Sequence, residues 1–286
     1  ISKGNNTIQK DYFLPSLNLK YNLNDKNSLR LGASKTYTLP QAKEISPYRY
    51  VGVNFNSQGN PNLKPSDHYN LDLKWDFNPT PTELISLTAF YKLIKNPISR
   101  IEVASAGGYL SYENIADKAT VAGVEIEIRK NLFVRPVSNA AHGMNKLSLG
   151  LNGSYIYTNA KMPLATVTTG SQLEGAAPWI VNFDLSHNFT KGERSFVNTL
   201  VLNYVSDKIY TIGTQGYQDV MEQGVLILDF VSQAKLNKHL SLNLKARNLL
   251  NPSYKLSRKA NENGEKVILN DYKKGINISL GVSCTF

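Results

Sequence analysis

Apolar and polar residues alternate with a period of two along almost the whole chain, and no apolar stripe of period 3.6 accompanies them. In the last segment Ile276, Ile278, Leu280, Val282, Cys284 and Phe286 fall on one face, while Asn277, Ser279, Gly281, Ser283 and Thr285 fall on the other. Tyr69, Leu71, Leu73, Trp75 and Phe77 oppose His68, Asn70, Asp72, Lys74 and Asp76 in the same way. Leu240, Leu242, Leu244 and Ala246 oppose Ser241, Asn243, Lys245 and Arg247. This pattern predicts eleven strands, at 12–23, 27–38, 67–77, 83–95, 119–131, 145–158, 178–190, 195–206, 224–236, 239–250 and 275–286. Each is 11 to 14 residues long. Strands of soluble sheets average about 5–6 residues, whereas a tilted strand crossing a bilayer needs about 9–11.

The gaps between these strands are 3, 28, 5, 23, 13, 19, 4, 17, 2 and 24 residues. Short and long connections alternate, as in an up-and-down membrane barrel with tight turns at one rim and long loops at the other. The short turns carry suitable residues, such as Asn24-Asp25-Lys26 and Lys191-Gly192-Glu193-Arg194, and only 132–144 is long for its class. Aromatics gather at strand ends. Tyr37, Tyr69, Tyr91, Tyr155, Tyr157, Trp179 and Tyr204 lie toward the long loops, and Trp75, Phe77, Phe133, Phe189, Phe196 and Phe286 toward the short turns. Two such girdles are expected where amphipathic rings sit at the two lipid–water boundaries. The fold class that follows is all-β, an antiparallel up-and-down transmembrane barrel. Eleven strands with two open edges would leave unpaired backbone groups in hydrocarbon, so this wall needs further strands to close it.

Composition narrows the picture. The chain has 286 residues, a net charge of +10, a mean hydropathy of -0.31 and 10% aromatics. No run of about 18 apolar residues is present, which excludes a helical membrane protein, and the single cysteine excludes a disulfide framework. Ile1-Ser2-Lys3-Gly4-Asn5-Asn6 lacks an initiator Met and an apolar signal core, so the chain is expected to begin mid-protein or after processing. The basic residues are spread rather than gathered in a stripe, which argues against nucleic acid as a partner.

Four stretches carry a resemblance. Gly59-Asn60-Pro61-Asn62-Leu63-Lys64-Pro65 resembles the loop signature that precedes a barrel strand in TonB-dependent outer-membrane receptors. Ala119 to Glu127, Asn248-Leu249-Leu250-Asn251-Pro252-Ser253-Tyr254 and the strand ending at Phe286 resemble the same family. The resemblance covers nearly the whole chain. It implies a 22-stranded barrel around an N-terminal plug, of which residues 1–286 form the C-terminal part. It places Phe286 and the short turns at the periplasmic rim of a Gram-negative outer membrane, and the long segments outside the cell. It implies partners: TonB with its inner-membrane energy complex, the protein's own plug, outer-membrane lipid and a possible surface lipoprotein. Gly275 and Phe286, bounding the last strand, resemble the signal read by the barrel-assembly machinery.

No enzyme is expected, and neither a cofactor nor a metal site. His68, His142, His187 and His239 lie in separate segments without ligand spacing. Ser66-Asp67-His68 holds the residue types of a hydrolase triad, but neighbours on a strand point to opposite faces. Glu125, Glu127 and Arg129 share a polar face and read as a solvated wall or a plug-facing ion-pair network. Cys284 shares its face with Leu280 and Val282 and reads as a small lipid-facing hydrophobe. The basic segment 251–274 suits phosphorylated headgroups or an anionic ligand, and equally a solvated loop. Ligand contacts are expected from Tyr48, Arg49 and Tyr50 in the first long loop and from Tyr210 and Tyr217 in another, because tyrosine combines a flat apolar face with a hydroxyl. The expected function is TonB-energised uptake of a scarce nutrient, a metal chelate, glycan or peptide. The alternatives are a passive porin-like barrel and a β-rich surface adhesin or binding module.

Overall fold

The computed structural model describes residues 10–53, 55–103, 108–137, 143–162, 172–260 and 264–285. His142 and Phe286 lie outside these. Nineteen strands and one helical turn are found among the described residues. In chain order the first are β1 (Ser16–Asn24), β2 (Asn27–Thr38), α1 (Ala42–Ile45), β3 (Arg49–Tyr50), β4 (Ser57–Gln58), β5 (Ser66–Phe77) and β6 (Leu84–Lys95). They are followed by β7 (Ile98–Val103), β8 (Tyr109–Asn114), β9 (Lys118–Pro136), β10 (Met144–Ala160), β11 (Trp179–Lys191) and β12 (Arg194–Val205). The remainder are β13 (Lys208–Thr211), β14 (Val220–Glu222), β15 (Val225–Lys235), β16 (Leu240–Arg247), β17 (Ser253–Lys259), β18 (Lys266–Lys273) and β19 (Asn277–Cys284).

Eleven of them form one continuous antiparallel sheet in the order β1-β2-β5-β6-β9-β10-β11-β12-β15-β16-β19. These are the eleven strands of the periodicity, each paired with its sequence neighbour. Three boundaries differ by three or more residues, among them the end of β16, at Arg247 rather than 250. The first strand begins at Ser16 rather than 12, and the long turn shrinks to 137–143 because β9 continues to Pro136. A bulge at Leu147/Ser148 lets that continuation stay paired: Asn131 faces Ser148 and Phe133 faces Leu147, with Leu132 as the extra residue.

The register assigns a face to every side chain. Leu31, Leu73, Leu87 or Ala89, Ile126 and Leu151 fall on one surface of the sheet through successive pairings. That surface is apolar and uncovered: Leu73 is 50% exposed, Leu87 49%, Leu280 71%. Among the described residues no second sheet packs on it, which argues against a sandwich. The opposite surface is polar and cross-linked. Arg30 Nε and Lys74 Nζ lie 3.2 and 3.5 Å from the Asp76 carboxylate, Arg129 Nε donates to Glu127 at 2.8 Å, and Asn182 Nδ2 donates to Asn152 Oδ1 at 3.3 Å. Across this face Phe90 lies over Gly123, where a Cβ would overlap the ring. An uncovered apolar surface of this extent is stable only against acyl chains, and the polar surface faces the lumen.

The buried core sits above the wall. Ile101, Ile115, Ala119, Ala160, Leu173, Ile209 and Ile212 pack together where the long loops meet. Two small sheets rise from those loops: β3-β4-β8-β7 from the first two, and β13-β14-β17-β18 from the last two. Sequence periodicity does not pick out these eight strands of 2 to 8 residues, most of which are too short to display a face.

The two faces of the wall predict different responses to charge. Leu73→Arg, in mid-span on the lipid face, is expected to cost about 2–4 kcal/mol of folding stability in bilayers. Glu125→Arg, on the lumen face, is expected to cost under about 1 kcal/mol. Denaturant titration of the full-length barrel in liposomes measures both, and equal costs would mean the faces are assigned wrongly.

Candidate functional site

The extracellular cap is built at joints where asparagine side chains replace missing backbone partners. Asn60 Nδ2 donates to the Tyr112 carbonyl at 3.0 Å while its own Oδ1 accepts from the Asn62 N–H at 3.0 Å. Lys64 N–H donates to Asn114 Oδ1 at 2.8 Å, and Asn114 Nδ2 returns a bond to the Lys64 carbonyl at 3.0 Å. Leu63 is buried beneath, and Gly59 passes so close to α1 that a Cβ would overlap the carbonyl oxygens of Lys43 and Ser46. The Gly59–Pro65 run is therefore a clasp that ties the first long loop to the hairpin β7–β8. At the other end, Asn248 and Asn251 adopt positive φ. Asn248 Nδ2 donates to the Gly275 carbonyl at 2.7 Å, and Gly275 N–H donates to Asn251 Oδ1 at 3.1 Å, which closes the last long loop at its base.

Between the two small sheets, β7 and the residue after β13 run side by side. Glu102 N–H donates to the Ile212 carbonyl and Ile212 N–H to the Arg100 carbonyl, both at 3.0 Å. Around this seam lies a charge network drawn from four loops. Arg100 Nη2 donates to Glu174 Oε1 at 2.9 Å, and Arg100 N–H donates to the other carboxylate oxygen. Arg258 pairs with the Glu102 carboxylate, and the Thr214 hydroxyl donates to the Glu102 carbonyl. Arg100 lies 4.3 Å from the centroid of Tyr210, and Arg258 lies 5.3 Å from that of Tyr217. Phe55 meets Tyr210 at 6.1 Å and brings in the first loop.

Beside this hub, Tyr210, Glu222, Tyr254, Lys255, Asn270 and Tyr272 line a cleft of about 490 Å³. Tyr254 and Tyr272 stack at 5.4 Å, with the Lys274 ammonium 3.9 Å from the Tyr254 centroid. The cleft offers flat aromatic faces, hydroxyls and cations, with Glu222 held by Lys208 at 3.3 Å. Such a lining suits an anionic or aromatic guest.

Of the five residues singled out from the sequence, Tyr210 and Tyr217 stand at the hub, each beneath one of its two arginines. Tyr48, Arg49 and Tyr50 stand at the edge of the β3-β4-β8-β7 sheet: Arg49 lies 5.5 Å from the Tyr109 centroid, Lys43 5.4 Å from that of Tyr50, and Tyr48 is 69% exposed. Arg100, Glu102, Glu174 and Arg258 have no sequence signal at all, since their partners lie 74 and 156 residues away. The Ser66-Asp67-His68 run is dispersed as strand geometry requires. Ser66 Oγ donates to the Asn96 carbonyl at 2.6 Å, Asp67 pairs with Lys10 at 3.0 Å, and His68 Nε2 meets Thr38 Oγ1 at 3.0 Å.

Burial pushes the Glu174 carboxyl above its ordinary value of 4.5, although Arg100 draws it the other way. A group whose folded pKa is raised holds its proton more tightly in the folded loop than in the unfolded one. Stability then falls as pH rises from 4.5 through the raised value. On acidification from pH 7 toward 4.5, segment 172–178 is thus expected to keep or gain protection. Hydrogen exchange corrected for intrinsic rates tests the sign, and loosening on acidification would contradict it.

A sequence profile described as TonB dependent receptor-like, beta-barrel matches residues 2–249. The iron-regulated outer membrane virulence protein of Vibrio cholerae is 25% identical over 228 residues, which cover 76% of this chain and 32% of that protein. The chain thus spans about a third of the length of this relative. The ferric enterobactin receptor PfeA of Pseudomonas aeruginosa superposes with a TM-score of 0.59 at 18% identity, covering 96% of this chain and 40% of PfeA. The copper transporter OprC superposes with a TM-score of 0.62 at 14% identity, covering 93% and 39%. With the eleven-stranded wall and its polar interior, these matches place the chain in the outer membrane and assign it to a family of transporters rather than enzymes: it belongs to the TonB-dependent receptor β-barrel family.

Proposed function

We propose that the receptor containing these residues takes up an anionic, iron-bearing chelate, with energy delivered through TonB. The observation that carries this reading is the cleft of Tyr210, Tyr254, Tyr272 and Lys255 beside Arg100. Three tyrosines, Lys255, Asn270 and Glu222 line it rather than histidine or methionine, with Arg100 against Tyr210 beside it, a set that suits the rim of a negatively charged chelate better than a bare metal ion. The name of the Vibrio relative, iron-regulated, supports iron over other nutrients. Tyr48, Arg49 and Tyr50 make first contact at the outer edge, and the guest then passes to Tyr210 and Tyr217 at the hub. There Arg100 Nε and Arg258 Nε are buried without a partner among the described residues, which leaves each guanidinium a donor for the guest.

Occupation of the hub reaches the plug through the polar lumen face, and TonB with its inner-membrane complex supplies the work that moves the plug aside. Residues 1–286 supply wall, cap and part of the vestibule as the C-terminal portion of that barrel. Gly275, two residues before β19 with a φ of +80°, and Phe286 mark the strand presented to the assembly machinery.

Quenching of intrinsic fluorescence on titrating the full-length receptor with a ferric tris-catecholate tests this reading. Tyr210→Ala and Lys255→Ala are each expected to weaken binding about tenfold. Saturable binding of a glycan or peptide with no response to ferric chelates would overturn it, as would unchanged affinity in both variants. Ion flux through the intact receptor in liposomes without TonB would favour the porin alternative.

A further inference from the structure

Arg100 of β7 is held by a carboxylate that belongs to neither cap sheet. Glu174 lies in the stretch before β11, and the backbone is pinned on both sides of it. Leu173 N–H donates to Thr158 Oγ1 at 3.1 Å, and Gly175 N–H donates to the Ile209 carbonyl at 2.9 Å. So fixed, the carboxylate accepts the Arg100 backbone N–H on one oxygen and Arg100 Nη2 on the other. The two side chains are only 27% and 18% exposed. The same guanidinium lies against Tyr210, a wall of the cleft, and its Nε is buried without a partner among the described residues. One cation thus faces a carboxylate on one side and the guest cleft on the other.

Among the described residues Glu174 has no ion pair but this one. The other cations of the hub are taken, Arg258 by Glu102 and Lys208 by Glu222. The remaining groups that act on the pair are Tyr210 from β13, Tyr112 from β8 and Glu44 from α1. None of them can replace Arg100. Two are phenols, and burial pushes that of Tyr112 above its ordinary value, so it stays neutral. Glu44 adds a like charge.

An anionic guest therefore competes with Glu174 for one guanidinium. Once the guest's negative oxygens hold Arg100, Glu174 is left shielded from water, without a counter-ion, beside Glu44 and beside the guest itself. In water a carboxyl of ordinary value 4.5 prefers its charged form at neutral pH by roughly 300-fold. Loss of the counter-ion inside a protein is enough to reverse a preference of that size, and the group then neutralises instead. We propose, resting on the anionic chelate inferred above, that such a guest takes Arg100 and that Glu174 binds one proton in exchange, so that guest and proton enter the hub together. Burial has already pushed Glu174 above its ordinary value before any guest arrives, which points the same way. The protonated carboxyl still accepts the Arg100 backbone N–H on its carbonyl oxygen, so segment 172–178 keeps its place while the guanidinium is released. A neutral guest leaves the ion pair closed and takes up no proton, which makes Glu174 a determinant of guest charge.

The test titrates the full-length receptor calorimetrically with a ferric tris-catecholate near neutral pH, in buffers of low and high ionisation enthalpy. The dependence of the heat on ionisation enthalpy counts the protons taken from the buffer. The wild type is expected to take up close to one proton more than Glu174→Gln, a difference that cancels protons exchanged by the chelate. For each unit by which pH falls from about 7.5, the ratio of wild-type to variant affinity is expected to rise about tenfold. Glu193→Gln, on a short turn at the opposite rim, is expected to match the wild type. Heat-modifiable migration on gels reports folding. If Glu174→Gln does not fold, infrared difference spectra of the wild type decide: a protonated carboxyl band is expected on adding the chelate, displaced by isotopically labelled glutamate. Equal uptake in the wild type and the folded variant overturns the proposal, as does absence of that band or an equal loss in Glu193→Gln. A chelate that binds with no proton exchanged overturns this proposal alone and leaves the proposed function standing, whereas one that does not bind at all removes both.

Discussion

Every backbone N–H and C=O in a bilayer has to find a partner within the protein, because hydrocarbon offers none and each orphan costs several kcal/mol. From this the rest of the architecture follows. Eleven strands pair in an unbroken antiparallel ladder. Since the ladder satisfies the backbone, the side chains are free to divide between solvents, with leucine and valine toward lipid and asparagine, lysine and glutamate toward the lumen. The wall thus has no hydrophobic core of its own. Its two irregularities, at Asn22/Asn24 and at Leu147/Ser148, lie close to the turns at one rim, where water is available to a displaced amide.

Where the ladder ends, side chains take over the same accounting. Asn60 and Asn114 tie the first loop to the hairpin beside it, and Asn248 and Asn251 tie the last loop to the start of the final strand. Asparagine serves here for two physical reasons: its amide mimics a peptide group, and it tolerates the left-handed backbone seen at positions 248 and 251. Two of the four stretches that resemble the receptor family, Gly59–Pro65 and Asn248–Tyr254, are these joints, and the other two are wall strands. The two joints fix where the long loops leave the wall.

The cap is assembled on a different principle. Its short strands bury little area individually, so its coherence depends on contacts between loops far apart in sequence: the Ile101, Leu173 and Ile212 cluster, the Arg100–Glu174 and Arg258–Glu102 pairs, and the arginine–tyrosine stacks. Partly buried charges of this kind contribute less to stability than to fixing one arrangement of the loops, since each is costly to leave unpaired. The cap thus joins an apolar cluster to a set of polar contacts between the same loops.

The sequence alone determined the wall. A period of two is a direct consequence of strand geometry, so Leu71 and Leu73 could only face one solvent and Asn70 and Asp72 the other, and the alternating gap lengths gave the up-and-down order. It also determined that Ser66, Asp67 and His68 part company, for the same geometric reason. What tertiary structure alone decided is the cap. Tyr210 and Tyr217 were visible as loop tyrosines, but nothing local marks Arg100 or Glu174, whose pairing exists only once loops 74 residues apart are brought together. Short-range periodicity reports which solvent a residue meets; which residue it meets is settled by strand pairing and loop closure, and these are properties of the whole sheet.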